Sequence, residues 1–282
     1  MMITRRNMFA GAAGGAAALA INGLAPALAS AARLRKIGLQ LYTVRTIFEK
    51  DPVGTLEQIA RIGYREVEYG GGGYEGMDHA LLRKTTDRLG LRAPSLHVGY
   101  EALLGDFDRS VKTAKTLGAD TVVVPHMQPD FYKEANWQAA MVNFNRFAAD
   151  LKKAGLGFAY HNHGFEFTVK PGGKSLYDRF LEQTDPALVK AELDLYWVSH
   201  AGEDAGAVID RLAGRIYAFH VKDMRADRSM VAVGQGTIDF AGLFKRKGSA
   251  GVGHFYVEND QAPAPYLPDI STSFQAVRAL RF

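Results

Sequence analysis

Cysteine is absent from all 282 residues. That excludes disulfides and thiolate metal sites, so any metal must be held by histidine, carboxylate, amide or water. Excess charge is also lacking. The net charge is +4, and Arg5 and Arg6 are the only charged residues among the first 29, so the remainder carries +2. A near-neutral domain gives no electrostatic case for nucleic acid as a partner. No strong membrane span is written either. The apolar run at 10–28 is rich in Gly and Ala and is interrupted by Asn22 and Pro26.

That run has a different reading. Thr4-Arg5-Arg6-Asn7-Met8-Phe9 precedes it, and Ala27-Leu28-Ala29 offers a small-x-small cleavage site. Charged, apolar and cleavage regions in that order make residues 1–29 an expected bacterial export signal, and Thr-Arg-Arg-x-x-Phe resembles the twin-arginine type. The expected location is periplasmic, with no stable membrane insertion after cleavage. Residues 30–282 are left for one domain, and nothing in them argues against an oligomer.

Within that domain, apolar runs of four to seven residues alternate with longer amphipathic stretches. Strands are expected at 37–41, 66–69, 93–97, 121–125, from 156, at 189–194, 216–221 and 255–258. Helices are expected at 53–62, 77–89, 106–117, 134–154, 173–184, 204–213, 239–247 and 270–280. Gly63, Gly90, Gly118, Gly155 and Gly214 each fall between a helix and the next strand, where a left-handed cap favours glycine. Eight βα units in about 250 residues predict a single (β/α)8 TIM barrel. A doubly wound open sheet is the alternative. It would want a phosphate-binding glycine fingerprint after the first strand, and Leu41-Tyr42-Thr43-Val44-Arg45 is not one.

In such a barrel, chemistry sits where strands end. The strand-end residues are Gln40, Glu68, His97, His126, His161 with His163, Asp194, His220 and Glu258. His161 and His163, two apart on extended chain, share a side. His161, Asp194, His220 and Glu258 end four consecutive strands, about 4.8 Å apart from neighbour to neighbour. They can converge on one divalent cation. Two imidazoles and two carboxylates suit Mn, Co, Mg, Zn or Fe without choosing among them. Tyr42, Tyr69, Tyr196, Trp197 and Phe165 would add aromatic faces near the mouth, and Trp197, three beyond Asp194, has two readings: a face for a ligand ring to stack on, or simple packing. Glu68 and His97 are further candidates for contact with substrate. Gly234-x-Gly236 with Arg225 and Arg228 offers a weak phosphate cradle, more simply read as a loop-shaping turn. Lys222 has two readings: an acid/base group, or a salt-bridge partner of Asp223.

Tyr160-His161-Asn162-His163, Glu192-Leu193-Asp194-Leu195-Tyr196-Trp197, His220-Val221-Lys222-Asp223, Gly234-Gln235-Gly236-Thr237-Ile238-Asp239-Phe240 and Val257-Glu258-Asn259-Asp260 together carry a resemblance. The chain is similar over residues 36–282 to the xylose-isomerase-like TIM-barrel superfamily of sugar (phosphate) isomerases, epimerases and inosose dehydratases. The resemblance implies a metal at the end of the fifth strand with Asp194, His220 and Glu258. It also implies proton transfer next to a metal-bound carbonyl of a monosaccharide or keto-sugar. The fifth-strand ligand is usually glutamate in ketose epimerases, where it doubles as acid/base opposite the eighth-strand glutamate. His161 stands there in this chain, and a metal-bound imidazole is a poor base. His163, Lys222, Glu68 or Glu166 would then supply the missing group, His163 and Lys222 first, with Glu258 as ligand and base.

Three alternatives are weighed against isomerisation. A lyase or hydrolase of 3-keto-glycosides would use the same metal site. A non-catalytic sugar-binding protein would need the pocket but not four convergent ligands. Endonucleases of this fold need three metals and extra histidines, where this chain has Glu68, Trp197 and Asp227-Arg228-Ser229.

Overall fold

Eight short runs pair edge to edge in parallel and close into a barrel: β1 (Gly38–Gln40), β2 (Glu66–Tyr69), β3 (Arg92–His97), β4 (Thr121–Val124), β5 (Gly157–His161), β6 (Val189–Asp194), β7 (Ile216–Val221) and β8 (His254–Val257). The computed structural model describes residues 32–282, so the export signal expected at 1–29 lies outside the described residues. Closure is made by Gly38 opposite Tyr256 and Leu39 opposite Val257. The predicted (β/α)8 barrel is therefore observed, and the open-sheet alternative falls because β1 has a partner on each side.

Alternation along each strand separates the two faces. Outward residues meet the helices: Phe158 and Tyr160 lie 5.2 Å from Phe144, on the helix Glu134–Lys153. Inward residues meet each other across the barrel, as His97 does Glu192 and Glu68 does His220. Gly38 shows how tightly the interior is filled. A Cβ there would fall 2.4 Å from Tyr256 Cδ1, so the missing side chain makes room for the tyrosine ring.

The helices lie close to expectation, with short additional ones after β3, β5 (Phe165–Thr168) and β6. Tyr100–Gly105 and Leu195–His200 are short helices directly after β3 and β6. The second starts where it does because Asp194 Oδ1 accepts from the Trp197 amide at 2.9 Å, an N-cap bond. After β7, Asp223–Met224 pairs antiparallel with Met230–Val231, a small ladder that the strand count did not anticipate. Among the described residues, no helix is long and apolar enough to cross a membrane.

Candidate functional site

The carboxyl ends of the strands carry a connected polar belt, and its four-donor cluster is the one expected. His161, Asp194, His220 and Glu258 each offer a ligand atom, and these atoms all lie within 4.8 Å of one another. All four side chains are buried. A cavity of about 550 Å3 opens above them, lined by His97, His126, His161, His163, Lys222, Glu258 and Asp260, among others.

The histidines are held in defined states by their second nitrogens. His161 Nδ1 lies 3.0 Å from the Pro125 carbonyl. A carbonyl only accepts, so Nδ1 carries a proton, and Nε2 faces Asp194 Oδ2 at 3.2 Å inside the cluster. His220 Nε2 lies 2.9 Å from Glu68 Oε2 and 3.1 Å from Glu192 Oε2, leaving Nδ1 to face Glu258 Oε2 at 2.8 Å. A donor nitrogen aimed into the cluster, with its opposite N–H tied to a carbonyl or carboxylate, is the arrangement of metal-ligating imidazoles. The donor set fits one divalent ion, which His161, Asp194, His220 and Glu258 would hold once His220 Nδ1 gives up its proton.

Charge in the belt is strongly coupled. Burial would lower His97, but Glu68 and Glu192 outweigh it and hold the ring protonated up to about 9. His220 is raised well above the usual histidine range against the same burial penalty, by Glu192 and Glu258. Asp194 is drawn down to about 2, its burial overcome by Lys222 and His161. Burial and the charge of His220 lower His161, which matches its reading as a neutral donor.

A second group of four, Glu68, His97, Glu192 and His220, also brings ligand atoms within 4.8 Å of one another. It shares His220 with the first, so filling both would require that imidazole to lose both protons. The lower group is better explained as support. Gln40 Nε2 donates to Glu68 at 2.7 Å, and Glu68 and Glu192 receive His97 and His220. Glu68 is fully buried under the site and bonded to protein groups, whereas His97 lines the cavity.

Lys222 is 1% exposed and does not pair with Asp223, which corrects the surface salt-bridge alternative. Its ammonium lies 2.7 Å from Glu258 Oε2, 3.1 Å from Asp194 Oδ2 and 3.0 Å from Asp260 Oδ1. Asp223 turns the other way. Its carboxylate accepts from the amides of Gly234 and Gly236 at 2.9 Å each, and from Met224 at 2.8 Å. The Gly234-x-Gly236 turn is thus a cradle already filled by the protein's own carboxylate, and those two amides are not available to a phosphate. A Cβ on Gly236 would lie 2.2 Å from Asp223 Oδ1, which explains the second glycine.

The aromatic expectations divide. Tyr42 is 38% exposed and lines the cavity, with the Arg45 guanidinium over its ring. Trp197 is half-buried and does not line the cavity, its ring 5.3 Å from His163 and 6.0 Å from the Lys222 ammonium. Tyr69 and Tyr196 are buried, the latter donating to the Arg228 carbonyl. His163 lines the cavity 4.9 Å from His161, and burial, with His161 and Lys222 as neighbours, lowers it well below the usual range. Glu166 lies behind it, accepting from the His163 amide at 2.9 Å and from the Tyr160 hydroxyl at 2.6 Å. Burial raises Glu166 to about 8.

Three residues gain a place that strand ends alone did not assign. Glu192 stands two before Asp194 on β6, and inward alternation was the signal for it. Asp260, two beyond Glu258, lines the cavity, and burial with the neighbouring Glu258 raises it to about 6. Asn162 accepts the Asp194 amide at 3.0 Å and so ties the ends of β5 and β6 together.

Comparison with known proteins agrees with this geometry. The pattern of the xylose isomerase-like TIM barrel matches residues 56–276. The inosose dehydratase of Geobacillus thermodenitrificans is 28% identical over 155 residues, 47% of this chain and 50% of that protein, so the match spans about half of that relative. The inosose dehydratase of Geobacillus kaustophilus is 25% identical over 257 residues, 76% of this chain and 81% of that protein. A sugar phosphate isomerase/epimerase structure from Parabacteroides distasonis superposes with a TM-score of 0.72 at 26% identity, covering 91% of this chain and 98% of that one. The chain belongs to the xylose isomerase-like TIM-barrel family.

Proposed function

We propose that the protein is a divalent-metal-dependent sugar enzyme that moves a proton next to a carbonyl of a monosaccharide or keto-sugar, as an isomerase or epimerase. The observation that carries this reading is the four-donor cluster with both histidines tied off at their second nitrogen. His161, Asp194, His220 and Glu258 would hold the ion, which when bound supplies Lewis-acid polarisation of a carbonyl and its neighbouring hydroxyl.

The remaining roles follow from the chain. Lys222 holds its proton firmly among three carboxylates, although burial opposes it, so it donates hydrogen bonds and charge rather than a proton. His163, uncharged and facing the cavity, is the base, and its Nδ1 has no protein partner. Asp260 is the second proton carrier, held by Lys222 at the cavity wall. Glu166 fixes the His163 backbone and Glu68 orients His220. His97 and Tyr42 contact substrate. Residues 1–29 direct the enzyme to the periplasm, a reading that N-terminal sequencing of a fractionated cell would test.

Elimination or hydrolysis of 3-keto-glycosides is the second reading. His161 leaves no pair of opposed glutamate bases, and the inosose dehydratases are named for loss of water. Heavy-water exchange over a panel of aldoses, ketoses and 3-keto-glycosides separates the readings. Deuterium uptake with otherwise unchanged mass means isomerase or epimerase, and loss of a leaving group means lyase or hydrolase. Tight binding without turnover would overturn both in favour of a sugar-binding protein. Alanine at His161, Asp194, His220 or Glu258 should each abolish stoichiometric metal, and full metal content in two of these variants would sink the ligand assignment.

A further inference from the structure

The cavity above the donor cluster continues sideways. A second cavity of about 360 Å3 adjoins it, and Glu75 and Gly99 line both. The main cavity alone, at about 550 Å3, already lies well inside the roughly 300–1,000 Å3 span of small-molecule sites. The side cavity runs between the turn Tyr74–Gly76 and the helices Tyr100–Gly105 and Phe107–Leu117, and none of the four donors lines it. Its wall mixes apolar surface from Val98 and Ala102 with polar groups of Glu75, Arg109 and Ser110. That is the chemistry a hydroxyl-rich ring needs: a face to lie on and an edge of donors and acceptors.

Gly99 stands at the junction. Its backbone, φ −59° and ψ 146°, is open to any residue, and a Cβ would meet nothing within 4 Å. It heads the helix Tyr100–Gly105 without a side-chain cap bond, where Ser, Asn or Asp would cap better. Neither backbone conformation nor crowding demands glycine here. Gly99 lines both cavities, and the missing side chain leaves the space beside it unfilled.

We infer that the side cavity is a second substrate subsite, and that the substrate is a glycoside or disaccharide. One sugar ring lies over the donor cluster, and the second unit lies along Val98 and Ala102 with its hydroxyls toward Glu75 and Arg109. This rests on the reading of the main cavity as a sugar site.

Calorimetric titration of the Mn2+-loaded protein tests it, with glucose and fructose against cellobiose, maltose, trehalose, sucrose and their 3-keto derivatives. At least one two-ring sugar should bind about tenfold or more tighter than its component monosaccharides, a gain of about 1.4 kcal/mol. Ala102→Leu fills the side cavity only, and should erase that preference while leaving monosaccharide binding as it was. Gly99→Leu closes the junction and should erase the preference too, with metal content checked as the control for folding. Monosaccharide binding with no two-ring preference overturns the subsite and leaves the sugar reading standing, and a preference that survives both variants also overturns it. If neither class binds, the sugar reading fails and the subsite fails with it.

Discussion

At the amino end of the barrel, His254 Nδ1 lies 2.8 Å from Glu66 Oε2, with Lys36 4.0 Å from the other carboxylate oxygen. At the carboxyl end, the same two residue types meet at His220 and Glu258, also at 2.8 Å. The local pair is identical in chemistry and distance. The difference lies in what surrounds it. The upper pair stands among Asp194, His161 and Lys222 at zero to 5% side-chain exposure, whereas His254 is 17% exposed. A histidine–carboxylate bond is therefore no sign of a metal centre by itself. Convergence of several buried donors is what makes one, because there each unpaired charge costs several kcal/mol and needs a counter-charge.

Removing a donor from the upper cluster should have the largest effect. Asp194→Ala should remove bound metal and lower turnover by about a thousandfold or more, with elemental analysis and rate assays as the measurements. His254→Ala should leave metal content untouched. Equal loss in both variants would erase the distinction between the two ends.

The pH behaviour of Glu166 is next. Its folded value, about 8, exceeds the unfolded value of about 4.3, so the native state keeps a proton that the unfolded chain loses. Wild-type stability contributed by this group is complete below about pH 4.3 and is lost as pH rises to about 8. Glu166→Gln does not titrate, so its stability relative to wild type should rise across that window, by at most about 5 kcal/mol. Denaturant titrations at pH 5 and pH 8 measure this, and a constant difference would refute it.

Lys222→Met tests the enclosure directly. It leaves three carboxylates without their ammonium and should cost about 3–5 kcal/mol in metal-free protein. Added Mn2+ should raise the melting temperature of this variant more than that of wild type, since the ion then becomes the chief counter-charge. Gly236→Ala should cost about 1–3 kcal/mol by pushing against the Asp223 carboxylate, with metal content retained. The His254→Ala change at the amino end should be smallest, about 1 kcal/mol in a denaturation curve.

The barrel was legible because each strand carries an apolar run and each helix an amphipathic stretch, and glycines mark the returns. The helix at Leu195–His200 was hidden, since its six residues complete fewer than two turns and their start depends on a side chain, Asp194, that also serves the site. The donor set could be read from strand ends, and so could Gln40, Glu68 and His97 of the support beneath it, but not their supporting role. Glu192 is one of three polar residues alternating along β6, and its partner appears only once β6 is placed opposite β3 and His97 meets it at 2.8 Å. Trp197 follows Asp194 by three, a spacing compatible with the mouth, yet the cap bond at Asp194 starts a helix there, and the indole packs 5.3 Å from the His163 ring without lining the cavity. The glycine pair at 234 and 236 resembles an anion cradle because it is one, and only the fold reveals that Asp223 is the anion.

Lys222 and Asp223 are neighbours in sequence with opposite allegiances: the first answers to the carboxylates in the cavity, the second to the amides of the loop outside it. The end of β7 thus works as a two-position address, in which parity decides which charge is delivered where. Loss of Lys222 would bring the Asp223 carboxylate into the inward place with no ammonium beside it, and exchange of the two residues would reverse both deliveries at once. Length changes at the distal tip, around Ala226 to Arg228, leave that parity alone. Natural variation in chain length should accordingly collect at the tip and avoid the dipeptide, however alike the two places look as stretches of surface loop.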